Sequence, residues 1–472
     1  MIHKKRLSLA VSTGIAIETV NKIAPLIILH LAKKRLGLEM FGFALFGISF
    51  IEMVVPFVSY GYSHLGSLQI AEQLKQRARI PEIINNIIAL RIIHSLVVFA
   101  LFWLLFVYYP PYWQYRSLYL ALSFILFSTA IETIWVHVAT QEVTLVNLAI
   151  GVGRFFSLGC IFLFIGSAED AILFAVLNLF SNALINLLTF INTRRHYSWT
   201  RPNWPMMKLT FRHAHIFALI SFLMVYFERI DVMIVEKYLG LTNAALYAGP
   251  ARIGHSLYQV ANAIVIAFFS EMIVQPDKDG LTKHLQLGLW ALMVFMAPIV
   301  AGVWFVDHTV LQFIFGVEYV EVSPILGMIV SSTFLAVLIA ALGLQILVVK
   351  QKTKALLMSL LWGAGLGTCL AIRLVGPWGI YGVSLGLIVG KALTLILIIK
   401  ESKPFLHKFP IKEISLTLLP ALLMAALLYL LKFDQWEQNI LAGAFFYIFF
   451  LLGFNRSQLL KFYRLLTNKK DR

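Results

Sequence analysis

Charge is scarce in this chain, and acidic charge scarcer still. Of 472 residues only 13% are charged, with 23 Asp and Glu against 39 Lys and Arg, while 60% are hydrophobic and mean hydropathy reaches +0.83. That composition excludes an ordinary water-soluble domain and marks a polytopic membrane protein. Cysteine is nearly absent. Cys160 and Cys369 both stand in apolar runs, which argues against a disulfide framework or a zinc site and leaves them as small packing residues. A cleavable leader is not expected either: the basic start "MIHKKRL" runs into an apolar stretch longer than the usual length of about 7–15 residues, with no small-residue cleavage site. We therefore expect a retained first membrane helix.

Apolar runs of about 20 residues are abundant. Fourteen occur, near residues 8–30, 41–62, 83–107, 117–138, 143–166, 170–191, 212–238, 244–270, 285–306, 325–349, 355–375, 378–399, 414–431 and 439–455. The expected fold class is all-α and polytopic. With the N-terminus inside, 26 Lys and Arg fall in cytoplasmic segments and 7 in outer ones, so the positive-inside rule places both termini in the cytoplasm. The same asymmetry accounts for most of the +16 net charge without nucleic acid. The basic tail "KFYRLLTNKKDR" reads as an anchor to anionic membrane lipid.

The basic segment from Asn192 to Arg212, with two prolines, reads as a link between halves. A short repeat supports this: "LGLEMFGFALF" from Leu36 and "LGLTNAALYAG" from Leu239 lie 203 residues apart. Six spans separate the copies, so the halves share an orientation, as in parallel transporter repeats with a site at their interface. The expected division is 1–195 for an N-terminal lobe of helices 1–6, 196–211 for the linker, 212–403 for a C-terminal lobe of helices 7–12, and 404–472 for helices 13–14 with the tail.

Three stretches carry a resemblance. "ERIDVMIVEKYLG", with its Arg-x-Asp pair, a turn and then "LYAGPARI", resembles the seventh and eighth helices of Wzx-type polysaccharide flippases. "LVVKQKTKALLMSLLWGAGLGTCLAIRLVGPWGIYGVSLGLIVG" is similar to that family's basic inner loop and Gly-rich outer turn, and "RLGLEMFGFALF" fits its first helix pair. The resemblance, over residues 1 to about 400, implies the multidrug/oligosaccharidyl-lipid/polysaccharide (MOP) exporter fold. In that fold two six-helix lobes form a V that opens alternately to each side. It also implies a cargo: a polyprenyl pyrophosphate bearing an O-antigen or capsule oligosaccharide, moved from the cytoplasmic to the periplasmic leaflet of a bacterial inner membrane. A polysaccharide polymerase and a chain-length regulator are the protein partners it implies.

Ionisable groups at membrane depth cost about 2.5–3.5 kcal/mol each on the mildest scale, so those present need a reason. Six cations lie in the spans: Lys22, Arg91, Arg154, Arg229, Arg252 and Lys391. They suit an anionic pyrophosphate, which the planar Arg fork holds well. Arg91 and Lys391 stand near enough to the cytoplasmic ends to snorkel. Lys22 has Glu18 one turn before it and can pair internally. Arg229 and Arg252, in adjoining spans, are the leading pyrophosphate contacts. On a helical wheel Arg229 is rotated about 100° from Glu228, so its partner belongs to another helix or to the cargo. Glu228 and Asp231 lie about 60° apart, close enough to raise each other's pKa and exchange a proton, or to form a fixed inter-lobe salt bridge. Asn178, Asn182 and Asn186 make one amide stripe suited to sugar hydroxyls or to helix–helix bonding. Glu52, Glu132 with His137, His255 and Gln345 are further polar candidates.

Pro25, Pro56, Pro250 and Pro298 interrupt spans, and Gly363, Gly365 and Gly367 permit close helix packing. No metal or organic cofactor is expected, although a proton or sodium gradient can drive the reset of the empty site. Three other functions compete. A multidrug exporter of the same superfamily would favour an acidic pocket for cationic drugs. A lipid II flippase would share the fourteen spans and the cationic cavity. A membrane glycosyltransferase or O-antigen polymerase would need a larger outer loop than "VDHTVLQFIFGVEYVEVSP", so an enzyme is not expected.

Overall fold

The computed structural model describes residues 2–73, 79–108, 110–140, 142–274, 278–405, 411–431 and 435–467. Among them every regular element is helical: α1 (Ile2–Ser59), α2 (Tyr62–Gln73), α3 (Ile80–Tyr108), α4 (Arg116–Ser123), α5 (Ile125–Ala130), α6 (Ile134–Ala139), α7 (Val143–Phe164), α8 (Ala171–His196), α9 (Trp204–Val274), α10 (Lys278–Gly302), α11 (Asp307–Phe315), α12 (Pro324–Leu342), α13 (Thr353–Ser402), α14 (Ile411–Leu431) and α15 (Trp436–Thr467). Each of the fourteen expected spans coincides with helix. Among the described residues nine helical stretches are long and apolar enough to cross a bilayer. The protein is a multi-pass membrane protein. Three spans depart from a plain α-helical rod: the second continues past a turn at Tyr60–Gly61 into α2, the fourth is divided into α4, α5 and α6, and the tenth passes from α12 into a π-helical stretch at Gly343–Val348.

Glycine sets the turn between the first two spans, and again between the seventh and eighth. Gly37 within α1 has φ 73, ψ 172, and Gly240 within α9 has φ 83, ψ 177. Side chains other than hydrogen essentially exclude that region. The two glycines are 203 residues apart, so the sequence repeat reappears as a repeated backbone turn. Gly42 and Ala245 are also equivalent at this offset, and they meet: a β-carbon on Gly42 would stand 3.0 Å from that of Ala245.

The chain forms two compact units, Met1–Gly249 and Pro250–Arg472. In the first, residues 197–203 are strapped to α3. Asn85 Nδ2 donates to the Ser198 carbonyl (3.2 Å) and to Thr200 Oγ1 (3.0 Å), and Asn86 Oδ1 accepts from the Asn203 amide (2.7 Å). In the second, Gly363 and Gly367 of α13 lie against Gly390 across the break at Gly379, whereas Gly365 faces open space. There α10 packs on α14 and α15 through Ala297, Met424, Leu428 and Tyr447. Pro298 has no N–H for the carbonyl of Val294, and the Tyr447 hydroxyl donates to that carbonyl at 3.0 Å. Trp290 Nε1 donates to Asn455 Oδ1 at 3.2 Å beside it.

Gly37→Ala and Gly240→Ala are expected to destabilise by similar amounts, about 1–3 kcal/mol each. Thermal unfolding in detergent should show matched losses, with Gly365→Ala neutral or slightly stabilising. Tyr447→Phe, by stranding the Val294 carbonyl, should cost about 1–3 kcal/mol in the same measurement, whereas an exposed Tyr429→Phe should cost almost nothing.

Candidate functional site

The charged stretch of α9 lies against the second half of α1. Residues 38–59 run antiparallel to residues 204–239, with Phe57 and Phe222 rings 4.9 Å apart and Tyr60 stacked on Phe211 at 5.1 Å. Between these aromatics and the Gly42 crossing, Arg229 Nε meets Glu52 Oε2 at 2.7 Å. Arg229 is buried, only 5% exposed, and its Nη1 also donates to the Glu228 carbonyl at 3.1 Å. Glu228 and Asp231 stand close enough to act on it electrostatically, so three carboxylates surround one guanidinium. An anion reaching Arg229 has to displace Glu52 first. Asp231 is itself buried and accepts the Val232 amide at 2.8 Å. Further along α9, Glu236 accepts a hydrogen bond from the Tyr115 hydroxyl.

Arg91 does not snorkel. It is fully buried beneath the break in the fourth span, where Ile131–Thr133 leave helical geometry between α5 and α6. A break frees carbonyls that the bilayer cannot hydrate. Arg91 Nη1 donates to the Glu132 carbonyl at 2.6 Å and to its carboxylate at 3.0 Å, while Nη2 donates to Ser63 Oγ at 2.6 Å. Glu132 therefore belongs with Arg91 rather than with His137. His137 staples α6 to α8 instead: its Nδ1 lies 3.0 Å from Glu142 Oε2, and its Nε2 lies 3.1 Å from the Thr189 carbonyl and 3.0 Å from Thr193 Oγ1.

The asparagine stripe on α8 faces protein, since the exposed Leu173, Phe180, Leu187 and Ile191 take the opposite side. Asn186 is buried and donates to the Ser128 carbonyl at 3.2 Å, a helix–helix bond. Asn178 and Asn182 are half-buried. Arg154 of α7 reaches this face and donates to Ser181 Oγ at 3.1 Å. In the second unit, Lys391 Nζ donates to Ser332 Oγ at 2.8 Å, and Arg252 is half-buried on α9. The side chains of Glu18, Lys22 and Gln345 lie outside the described residues. Glu52 was visible in the sequence only as one acid in an apolar run, and nothing there singled it out as the partner of Arg229.

The family described as polysaccharide biosynthesis protein matches residues 10–270, more than half of the chain. The chain belongs to that family. None of the curated proteins matches it. Among solved structures, "Lipid II flippase MurJ, inward closed conformation" is similar at 14% identity and TM-score 0.70, over 95% of this chain and 99% of the other. The eukaryotic MATE transporter AtDTX14 is similar at 15% identity and TM-score 0.60, over 89% and 98%. An outward-facing multidrug resistance MATE family transporter of the MOP superfamily follows at 15% and 0.57, over 84% and 94%. At these identities the likeness is one of fold. Family and fold together place this polysaccharide biosynthesis protein among the MOP-superfamily flippases and transporters, and not among enzymes.

In this family member the Arg91 network predicts a structural phenotype. Arg91→Ala leaves the half-buried Glu132 carboxylate and the Glu132 carbonyl without their donor and should cost about 1–3 kcal/mol of stability. The check is thermal unfolding alongside expression: a variant with wild-type melting and lost transport would show instead that Arg91 holds cargo.

Proposed function

We propose that this protein flips a polyprenyl-pyrophosphate-linked oligosaccharide, an O-antigen or capsule repeat unit, from the cytoplasmic to the periplasmic leaflet of a bacterial inner membrane. Both termini lie in the cytoplasm in this reading, and residues 1–195 and 212–403 act as the two lobes of an alternating-access cycle, joined through 196–211. The observation that carries it is a polysaccharide biosynthesis family member with arginines at membrane depth. Arg252 and Arg154 are the first pyrophosphate contacts: both are half-buried arginines at membrane depth, a residue type whose planar fork holds phosphate oxygens. Arg229 joins only when Glu52 releases it. Asn178 and Asn182 offer amides to the sugar; Asn186, bonded to Ser128, does not.

The electrical argument supports the same cycle. Carrying about two negative charges outward is favoured by about 2.3 kcal/mol per charge per 100 mV of inside-negative potential. An empty site with bare arginine would be opposed on its return. Glu52 neutralises Arg229 in the empty site, and a proton or sodium ion on Glu228 or Asp231 is the coupling step that resets the acids. A polymerase and a chain-length regulator are the partners this reading implies. The alternative with a specific observation behind it is lipid II transport, given the fold shared with MurJ.

In a strain lacking redundant flippases, deleting the protein should trap the lipid-linked oligosaccharide in the cytoplasmic leaflet. Arg252→Ala and Arg154→Ala should each lower transport about 10- to 100-fold at unchanged protein level. Normal outward exposure of the oligosaccharide after deletion would sink the proposal, and trapped lipid II instead would select the alternative.

A further inference from the structure

In a bilayer, an exposed helix face is normally apolar. On α3 the exposed residues include Ile92, Ile93, Leu96, Val97, Leu101 and Leu104. The second half of α9 differs. Gly254, Ala261 and Val265 are buried, and Gly254 lies against Ile329 and Thr333 of α12, where a β-carbon would clash. The open side carries His255, Gln259 and Asn262, spaced three and four residues apart and so on one face, with Ser256 and Ala263 beside them. Gln259 is exposed, and His255, Ser256 and Asn262 are half-buried. Lipid chains cannot satisfy an imidazole and two amides, and leaving such groups in hydrocarbon costs several kcal/mol. A row of this kind is suited to a polar occupant rather than to lipid chains.

Its chemistry suits one kind of occupant. Gln259 Nε2 lies 3.0 Å from His255 Nε2, and the His255 ring stacks on Tyr258 at 6.5 Å and 12°. Asn262 Oδ1 is buried and accepts no hydrogen bond from the described residues. Neutral groups that both donate and accept, in a row beginning one turn beyond Arg252, match hydroxyl-bearing rings attached to a phosphate. At the 203-residue offset the three positions fall on Glu52, Pro56 and Ser59, so only the second copy of the repeat carries the amides.

We propose that His255, Gln259 and Asn262 form the subsite that reads the oligosaccharide of the cargo, next to the pyrophosphate at Arg252. This rests on the lipid-linked oligosaccharide reading above. The test measures binding of two probes to purified full-length protein: polyprenyl pyrophosphate without sugar, and the lipid-linked oligosaccharide extracted from the native cell. Gln259→Leu and Asn262→Leu should each weaken the second by about three- to tenfold, with the first unchanged and so reporting a folded protein. Gln259→Asn, which keeps the amide, should restore part of the loss. Equal weakening of both probes, or wild-type affinity of the variants for the oligosaccharide, overturns the subsite alone. A wild-type protein that binds neither probe overturns the subsite together with the flippase reading.

Discussion

A polar group inside a bilayer has no water to turn to, and that constraint organises this protein more than any single contact. Where Pro298 strips a hydrogen bond from α10, the Tyr447 hydroxyl supplies one from another helix. Where the fourth span unwinds at Ile131–Thr133, Arg91 donates to the freed Glu132 carbonyl and pairs with the half-buried carboxylate of the same residue. Asn186 closes on the carbonyl of Ser128. In each case the sequence departs from an ideal helix or an apolar side chain, and the departure is answered inside the same unit. Such answers bind the helices to one another, so residues that look functional in an isolated span become part of the scaffold.

The same constraint separates scaffold from site. Arg91 is held by two kinds of acceptor on Glu132 and by a serine, an arrangement whose removal strands a charge. Arg229 is held differently, by the Glu52 carboxylate from a neighbouring helix, with Glu228 and Asp231 acting on it electrostatically. On α9 beyond Arg252, the Gln259 amide pairs with the His255 ring, and Asn262 Oδ1 is buried without a hydrogen-bond partner among the described residues.

Span positions and the repeat were legible in the sequence because each is a local signal: an apolar run of bilayer length, or a short stretch that recurs. The structure adds what the repeat is for: Gly37 and Gly240, at the same place in the two copies, take the positive-φ backbone of a turn. Partner choice was not legible. Glu132 looked like company for His137 five residues on, but the broken helix turns its carboxylate to Arg91, and His137 finds Glu142. The basic segment after α8 read as a linker by composition, and no local rule tells that Asn85 and Asn86 bind it to α3. These are long-range pairings, set by which helices lie side by side.

The duplication explains why charge could become asymmetric. Both copies keep the glycine turn and the small residues that let Gly42 approach Ala245, because backbone contact tolerates no other side chains there. Positions one or two turns away face no such demand. Glu52 in the first copy corresponds to His255 in the second, and Ser49 to Arg252. One copy thus places an acid where it neutralises Arg229, and the other places a base, an imidazole and amides on an open face. The duplication thus kept the backbone that both copies need and left the polar positions free to diverge, toward an ion pair with Arg229 in one copy and toward neutral polar side chains in the other.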